Sequence, residues 1–192
     1  FWQRISEPGE RFGPLLRFYM LTGGQRFRQL ARAMVSDKSD EGLVLLDSKG
    51  RRKQPRRHVV PLLPEADEAL KQMADPRNGD YLLTLTHGQS PADQSTVSNA
   101  VKRIAQAMIE AGEAAEPFTL GDLRRTVETR LAALKVPLEV RAHIQSHGMG
   151  GIQARHYDRH DYADEKREAL ERLRDLMAQT PATVHQLPGA RA

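Results

Sequence analysis

The segment Phe118–Tyr162, FTLGDLRRTVETRLAALKVPLEVRAHIQSHGMGGIQARHYDRHDY, decides how the chain is organised. It opens with Thr119 and Asp122, whose hydroxyl and carboxylate can satisfy the first free N–H groups of a helix. Apolar residues then recur at helical spacing, at Leu120, Leu123, Val127, Leu131 and Leu134. The segment therefore predicts a capped helix that buries one face.

Two consecutive arginines take different positions on that helix. On a helical wheel Arg124 borders the apolar stripe, whereas Arg125 points away from it. A half-buried arginine is costly unless an anion meets it. Further along the segment come His147 and Tyr157, and the tyrosine has basic neighbours. Guanidinium, imidazole and phenol groups in a basic setting indicate phosphoryl chemistry on nucleic acid.

This stretch resembles the tyrosine recombinase (phage integrase) family. The second box of that family is commonly written His-x-x-Arg, followed by Leu-Gly-His and then a nucleophilic tyrosine. Here 122–126 matches the core of the box, 146–148 the middle and 156–159 the end. One departure is plain, because Gly121 stands at the position of the box histidine.

A second helix is predicted over Gln25–Val35, after a break at two glycines. On its wheel Arg26 lies at the edge of the apolar face, while Arg28 and Arg32 lie opposite. The residues of the apolar face are Phe27, Leu30, Ala31 and Met34.

The start of this helix resembles the first box of the family, Thr-Gly-x-Arg-x-x-Glu. Residues 22–30, TGGQRFRQL, look like a version that is one residue longer, with Gln29 in place of the glutamate. The resemblance selects Arg26 as the first catalytic arginine, which is also the arginine that the wheel selects. A solvated surface arginine is the alternative interpretation.

A long basic tip separates two short apolar strands, which are predicted over Leu43–Leu46 and His58–Leu63. Related proteins carry a catalytic lysine in this turn, commonly as Lys-Gly ahead of Val-Pro-Leu. Lys49-Gly50 and the Val-Pro-Leu of 60–62 fit that pattern, although Lys53 could take the role instead. Basic residues of this tip and of the organising segment are predicted to bind DNA: Arg51, Arg52, Lys53, Arg125, Arg155 and Arg159.

The remaining periodic segments complete a mainly α fold with a small antiparallel β-sheet (α+β). The resemblance implies that this is a catalytic domain for DNA breaking and rejoining. Further helices are predicted over Arg11–Leu21, Glu65–Ala74, Ser95–Ala111 and Asp164–Ala178, and a short apolar stretch over Tyr81–Leu85. By the resemblance, residues 1–179 form an integrase catalytic domain. Residues 180–192 are then a tail that is flexible or packed on a partner.

Composition limits the chemistry. The 192 residues carry a formal charge of +4, which suits a nucleic-acid partner. There is no cysteine, so disulfides, thiol catalysis and cysteine-type zinc sites are excluded. No apolar run approaches the ~20 residues needed to cross a bilayer. Because the chain starts at Phe1 rather than Met, we expect a fragment. The resemblance implies that an N-terminal DNA-binding domain is missing from it and that the protein acts in the cytoplasm, at the nucleoid.

The resemblance implies site-specific recombination, the integration or excision of a mobile element. Arg26 and Arg124 would clamp the phosphate, His147 would hydrogen-bond it, Lys49 would protonate the leaving oxygen, and Tyr157 would attack. No cofactor and no metal are implied. The expected partner is double-stranded DNA at an attachment-type site, bound by a homotetramer.

Several alternatives stay open at this point. Tyr162 competes with Tyr157 as nucleophile, and His143, His156 and His160 could suggest a metal cluster. A type IB topoisomerase would share the catalytic set. A DNA-binding relative without efficient cleavage would fit Gly121, and a helical interaction domain would need none of these residues.

Overall fold

The computed structural model describes residues 1–47, 55–146 and 161–179. Within these ranges the chain forms three helices, then one small sheet, then five further helices. The helices are α1 (Trp2–Ser6), α2 (Gly13–Leu21), α3 (Phe27–Leu30), α4 (Pro64–Met73), α5 (Gln94–Glu110), α6 (Leu120–Ala133), α7 (Leu138–Ile144) and α8 (Ala163–Ala178), with a 3-10 turn at Val35–Asp37. The predicted mainly α fold with a small antiparallel sheet is confirmed.

The core is built around α2, which is apolar on nearly every side. Its residues Leu15, Leu16 and Phe18 are fully buried, and Tyr19 is 2% exposed. The helix packs against α1, α4, α6 and α8. A helix that is hydrophobic all round is stable only in the interior of a domain, so α2 is the element on which the helices of the site assemble.

The sheet has the strand order β1-β2-β3, with β1 at Lys38–Ser39, β2 at Gly42–Asp47 and β3 at Arg56–Val60. Both pairings are antiparallel. The last residue of β2, Asp47, lies opposite the first residue of β3, Arg56. The prediction that the second strand runs to Leu63 is wrong, because Pro61 has no N–H with which to continue the ladder. The strand instead takes in Arg56, which the sequence had placed in the basic tip.

The helix that follows the glycine turn is much shorter than predicted. It covers Phe27–Leu30 rather than Gln25–Val35. After it the hydrogen bonds tighten to i→i+3 spacing, and Met34 forms a β-bridge with Tyr81. Met34 is consequently 38% exposed instead of buried. Pairing with a distant segment has overridden the local helical pattern, which propensity alone cannot foresee.

Within the described ranges, no helix combines the length and apolarity needed to span a bilayer.

Candidate active site

The start of α6 aims two neighbouring arginines in opposite directions. The amide of Thr119 donates to the Asp122 carboxylate at 2.9 Å, and the amide of Asp122 donates back to the Thr119 hydroxyl at 3.4 Å. This is the predicted capping box. Hydrogen bonds from Thr119, helped by Arg125, hold the pKa of Asp122 below its usual value. The cap fixes the phase of the helix, so that the Arg125 side chain is 73% exposed while Arg124 is half-buried.

Arg124 reaches inward to the glycine turn and to the end of α7. It donates through Nη1 to the carbonyl of Gly24 and through Nη2 to the carbonyl of Gln145, the latter at 2.7 Å. Burial lowers the pKa of its guanidinium. Gly24 has φ +63°, and a Cβ at that position would lie 3.1 Å from the Arg124 Cα. Glycine therefore permits both the turn and the close approach of the two segments.

Arg26 approaches the same place from the other side. Its Nη2 donates to the carbonyl of Ser146 at 3.2 Å, and its Nη1 lies 3.2 Å from a carboxylate oxygen of Asp47. Gln145 and Ser146 are consecutive, so Arg26 and Arg124 hydrogen-bond neighbouring carbonyls. The two arginines selected from the sequence thus converge on one site, immediately before His147.

Asp47, Ser146 and Arg56 tie the base of the β2–β3 hairpin to this site. The Ser146 hydroxyl donates to Asp47 at 2.5 Å, and Arg56 Nη2 donates to the Ser146 hydroxyl at 3.0 Å. Ser146 is 1% exposed and has φ +50°, a left-handed conformation that is uncommon outside glycine. Sequence reasoning missed all three residues. The hairpin register, which pairs Asp47 with Arg56, is the signal that could have found these two residues.

A group of buried polar side chains packs next to the candidate site. The Gln25 amide nitrogen donates to the carbonyls of Thr22 at 2.6 Å and Ile144 at 2.8 Å. Its oxygen therefore accepts from His58 Nε2 at 3.2 Å, which makes the histidine a neutral donor. Burial, with Lys166 and Arg56 nearby, lowers the pKa of His58 to about 3. Lys166 is 4% exposed and donates to the carbonyl of Val59 at 2.9 Å.

The other predicted site residues lie outside the described ranges. They are the candidate lysines Lys49 and Lys53, the candidate phosphate-binding residue His147, the candidate nucleophile Tyr157, and the DNA-binding candidates Arg51, Arg52, Arg155 and Arg159.

Tyr162, the alternative nucleophile, lies within the described ranges. It is the N-terminal flanking residue of α8, and its ring stacks on His143 with centroids 4.2 Å apart. His143 therefore packs against this phenol, while His156 and His160 lie outside the described ranges. Within those ranges no three His, Cys, Asp or Glu residues are grouped so that they could hold a metal ion.

Gly121 has open space around it. It lies exposed in the first turn of α6. A Cβ there would meet only the Thr119 hydroxyl at 3.6 Å and Arg125 Nη1 at 3.7 Å, which are ordinary contacts. The backbone therefore does not demand glycine at the position of the box histidine.

The mainly helical domain with its small three-stranded sheet is the fold of tyrosine recombinase catalytic domains. The chain belongs to the phage integrase family, whose model matches residues 15–164. No curated protein sequence gave a significant match.

Solved structures show the same fold at low sequence identity. XerA recombinase is 18% identical with a TM-score of 0.57, and the alignment covers 89% of this chain and 61% of that one. A lambda integrase tetramer bound to a Holliday junction is 20% identical with a TM-score of 0.56, over 77% of this chain and 44% of that one. The lambda integrase catalytic core is 21% identical with a TM-score of 0.54, over 76% of this chain and 88% of that one. The chain thus spans most of an isolated catalytic core and less than two thirds of the XerA chain.

Proposed function

We propose that this chain is the catalytic domain of a site-specific DNA recombinase that cuts and rejoins strands through a 3′-phosphotyrosyl intermediate. The observation that carries the proposal is the convergence of Arg26 and Arg124 on the consecutive carbonyls of Ser146 and Gln145. Membership of the phage integrase family supports it.

The two arginines suit a phosphodiester in its transition state. Negative charge grows on the non-bridging oxygens during attack, and preorganised donors stabilise it most when they need not reorient. A guanidinium carries five N–H donors in a fixed plane. Hydrogen bonds to Asp47 and Ser146 fix the plane of the Arg26 guanidinium. The N–H groups of Arg26 that these bonds leave over can bind a phosphate oxygen.

The remaining chemistry is assigned by resemblance. The Tyr157 hydroxyl gives its proton to water or to His156, and its oxygen attacks phosphorus. The bond to the 5′-oxygen breaks, and Lys49 gives a proton to that leaving oxygen; Lys53 is the alternative donor. His147 hydrogen-bonds a non-bridging oxygen. The phosphotyrosyl bond retains the energy of the broken phosphodiester, so attack by a free 5′-hydroxyl rejoins the strand without a cofactor or metal.

Recombination requires two duplexes, so we propose a homotetramer that holds double-stranded DNA at attachment-type sites. The lambda integrase structure bound to a Holliday junction is a tetramer with a related fold, which supports this assembly.

The test uses a pool of nicked duplexes with a randomised region, because a nick next to the cut site traps the covalent intermediate. A covalent protein–DNA adduct on a denaturing gel is expected from the native chain and from Tyr162→Phe, and none from Tyr157→Phe. Sequencing of the trapped strands would give the recognition site.

Two other outcomes would overturn the proposal. DNA binding without any adduct would indicate a binding-only relative, the alternative that Gly121 favours. An adduct accompanied by relaxation of a supercoiled plasmid that lacks the selected site would indicate a topoisomerase.

A further inference from the structure

A second basic site lies next to the candidate active site. A cavity of about 500 Å³ lies between α3 and β2, within the ~300–1,000 Å³ typical of ligand sites. Arg26 and Asp47 form its border with the candidate active site. Its other lining residues are Arg28, Gln29, Arg32, Ala33, Asp37, Val44, Leu45, Leu46 and Pro55.

The contacts of the fold do not explain why two arginines line this cavity. Arg28 lies in α3 and Arg32 lies two residues beyond its end, and both line the cavity. Both are exposed. The Arg28 side chain donates to the neutral Gln94 side chain at 3.0 Å. Within the described part of the chain the Arg32 side chain has no hydrogen bond or ion pair, and only its backbone amide donates, to the Gln29 carbonyl.

The acidic groups of the cavity are already engaged. Asp37 accepts from the amide of Met34 at 2.8 Å, and Asp47 is held by Arg26 and Ser146. Counting formal charges, three arginines face two aspartates in the lining. The end of the cavity at Arg28 and Arg32 is therefore positive, which favours an anion.

Gln29 adds a donor that also lacks a partner. Its side-chain nitrogen is buried and has no hydrogen-bond acceptor among the described residues. A buried donor without an acceptor is costly, so a ligand oxygen gains affinity when the amide turns to donate to it. A glutamate at this position, as in the box that the segment resembles, would repel an anion; this chain has a neutral amide instead.

We propose that this cavity binds a second backbone phosphate of the DNA strand, next to the phosphate held by Arg26 and Arg124. Arg28 and Arg32 pair with its oxygens, and Gln29 donates to it. Val44 and Leu46 offer aliphatic surface to the intervening deoxyribose, and Leu46 is 61% exposed. This inference rests on the proposed function, since it takes the ligand of the cavity to be DNA.

The test measures non-covalent binding, in a Tyr157→Phe background so that no adduct forms. Fluorescence anisotropy with a labelled mixed-sequence duplex gives Kd between roughly 50 and 200 mM salt. Each phosphate contact contributes about 0.9 to the slope of log Kd against log salt. We expect Arg32→Ala to lower that slope by about 0.9, and Gln29→Glu to lower it similarly because the new carboxylate repels the phosphate.

The matched control is Arg130→Ala, which removes an exposed arginine of α6 that lines no part of the cavity. Its slope should equal that of the parent protein. Equal slopes for Arg32→Ala, Gln29→Glu and Arg130→Ala would overturn the inference. Absence of any DNA binding by the parent would overturn it together with the proposed function, whereas binding without an adduct in the Tyr157 assay would overturn only the proposed function.

Discussion

Arg26 and Asp47 lie 3.2 Å apart between guanidinium Nη1 and carboxylate Oδ2, and this pair joins the glycine turn to the end of β2. The same Asp47 oxygen accepts from the Ser146 hydroxyl. One carboxylate therefore positions a candidate catalytic arginine and the residue that precedes His147.

Replacing Asp47 should move DNA binding and DNA cleavage in opposite directions. In Asp47→Asn a negative charge beside the phosphate site is lost, so non-covalent affinity should be equal or higher. The neutral amide holds Arg26 less firmly, since hydrogen bonds to charged groups are about twice as strong as neutral ones. We expect adduct formation to slow by roughly tenfold, because the arginine is less well preorganised. Kd and the single-turnover rate, measured on the same nicked duplex, check this, and parallel losses in both would argue against a positioning role.

Alanine substitutions of the two arginines at the start of α6 should have very different effects on DNA cleavage. Arg124→Ala removes a guanidinium that bridges Gly24 and Gln145, and we expect cleavage to fall by roughly a hundredfold or more. Arg125→Ala removes an exposed side chain paired with Asp122 and should keep most of the activity. Arg124→Lys is the control for charge alone. Equal losses in Arg124→Ala and Arg125→Ala would contradict the selection of Arg124 over Arg125.

Restoring the box histidine should be possible without strain. A Cβ at Gly121 makes only ordinary contacts, and replacing glycine near a helix start gains a fraction of the ~1 kcal/mol that it costs in a helix interior. We expect Gly121→His to fold with equal or higher stability and to form the adduct faster. Gly121→Ala separates the helix effect from the imidazole. An adduct rate for Gly121→His no higher than that for Gly121→Ala would mean that this position takes no part in the chemistry.

His58 should make stability depend on pH in mild acid. Its pKa is about 3 in the folded protein and about 6.5 in an unfolded chain, so only the unfolded state takes up a proton between these values. The stability is therefore fully present above pH 6.5 and is lost as the pH falls towards 3, by up to ~1.4 kcal/mol per pH unit.

His58→Gln keeps a donor for Gln25 and does not titrate. Urea unfolding at pH 7.5 and 4.5 should show the native protein losing roughly 3 kcal/mol more than this variant. Staying above pH 4.5 keeps aspartates with lowered pKa, such as Asp122, out of the comparison. Identical losses would show that His58 is protonated in the folded state.

The sequence could predict contacts between residues that are close together in the chain. The capping box of Thr119 and Asp122, the buried stripe that follows, and the inward Arg124 beside the outward Arg125 all depend on residues within one or two helical turns. Such contacts form in whatever fold contains the segment. The resemblance of the boxes added the family, which the match over residues 15–164 confirms.

The tertiary structure decided which residues far apart in the sequence come into contact. The helix after the glycine turn stops at Leu30 because Met34 pairs with Tyr81, and no pattern within 25–35 announces that bridge. The Asp47–Ser146 contact joins residues 99 positions apart, and the Gln25–Ile144 contact joins residues 119 apart. Side chains so distant in sequence meet only after the helices have packed around α2, since the entropy of bringing them together is offset by burial of the whole core. The sequence alone thus determined which groups could meet a phosphate, and packing determined that Arg26 and Arg124 meet at one place.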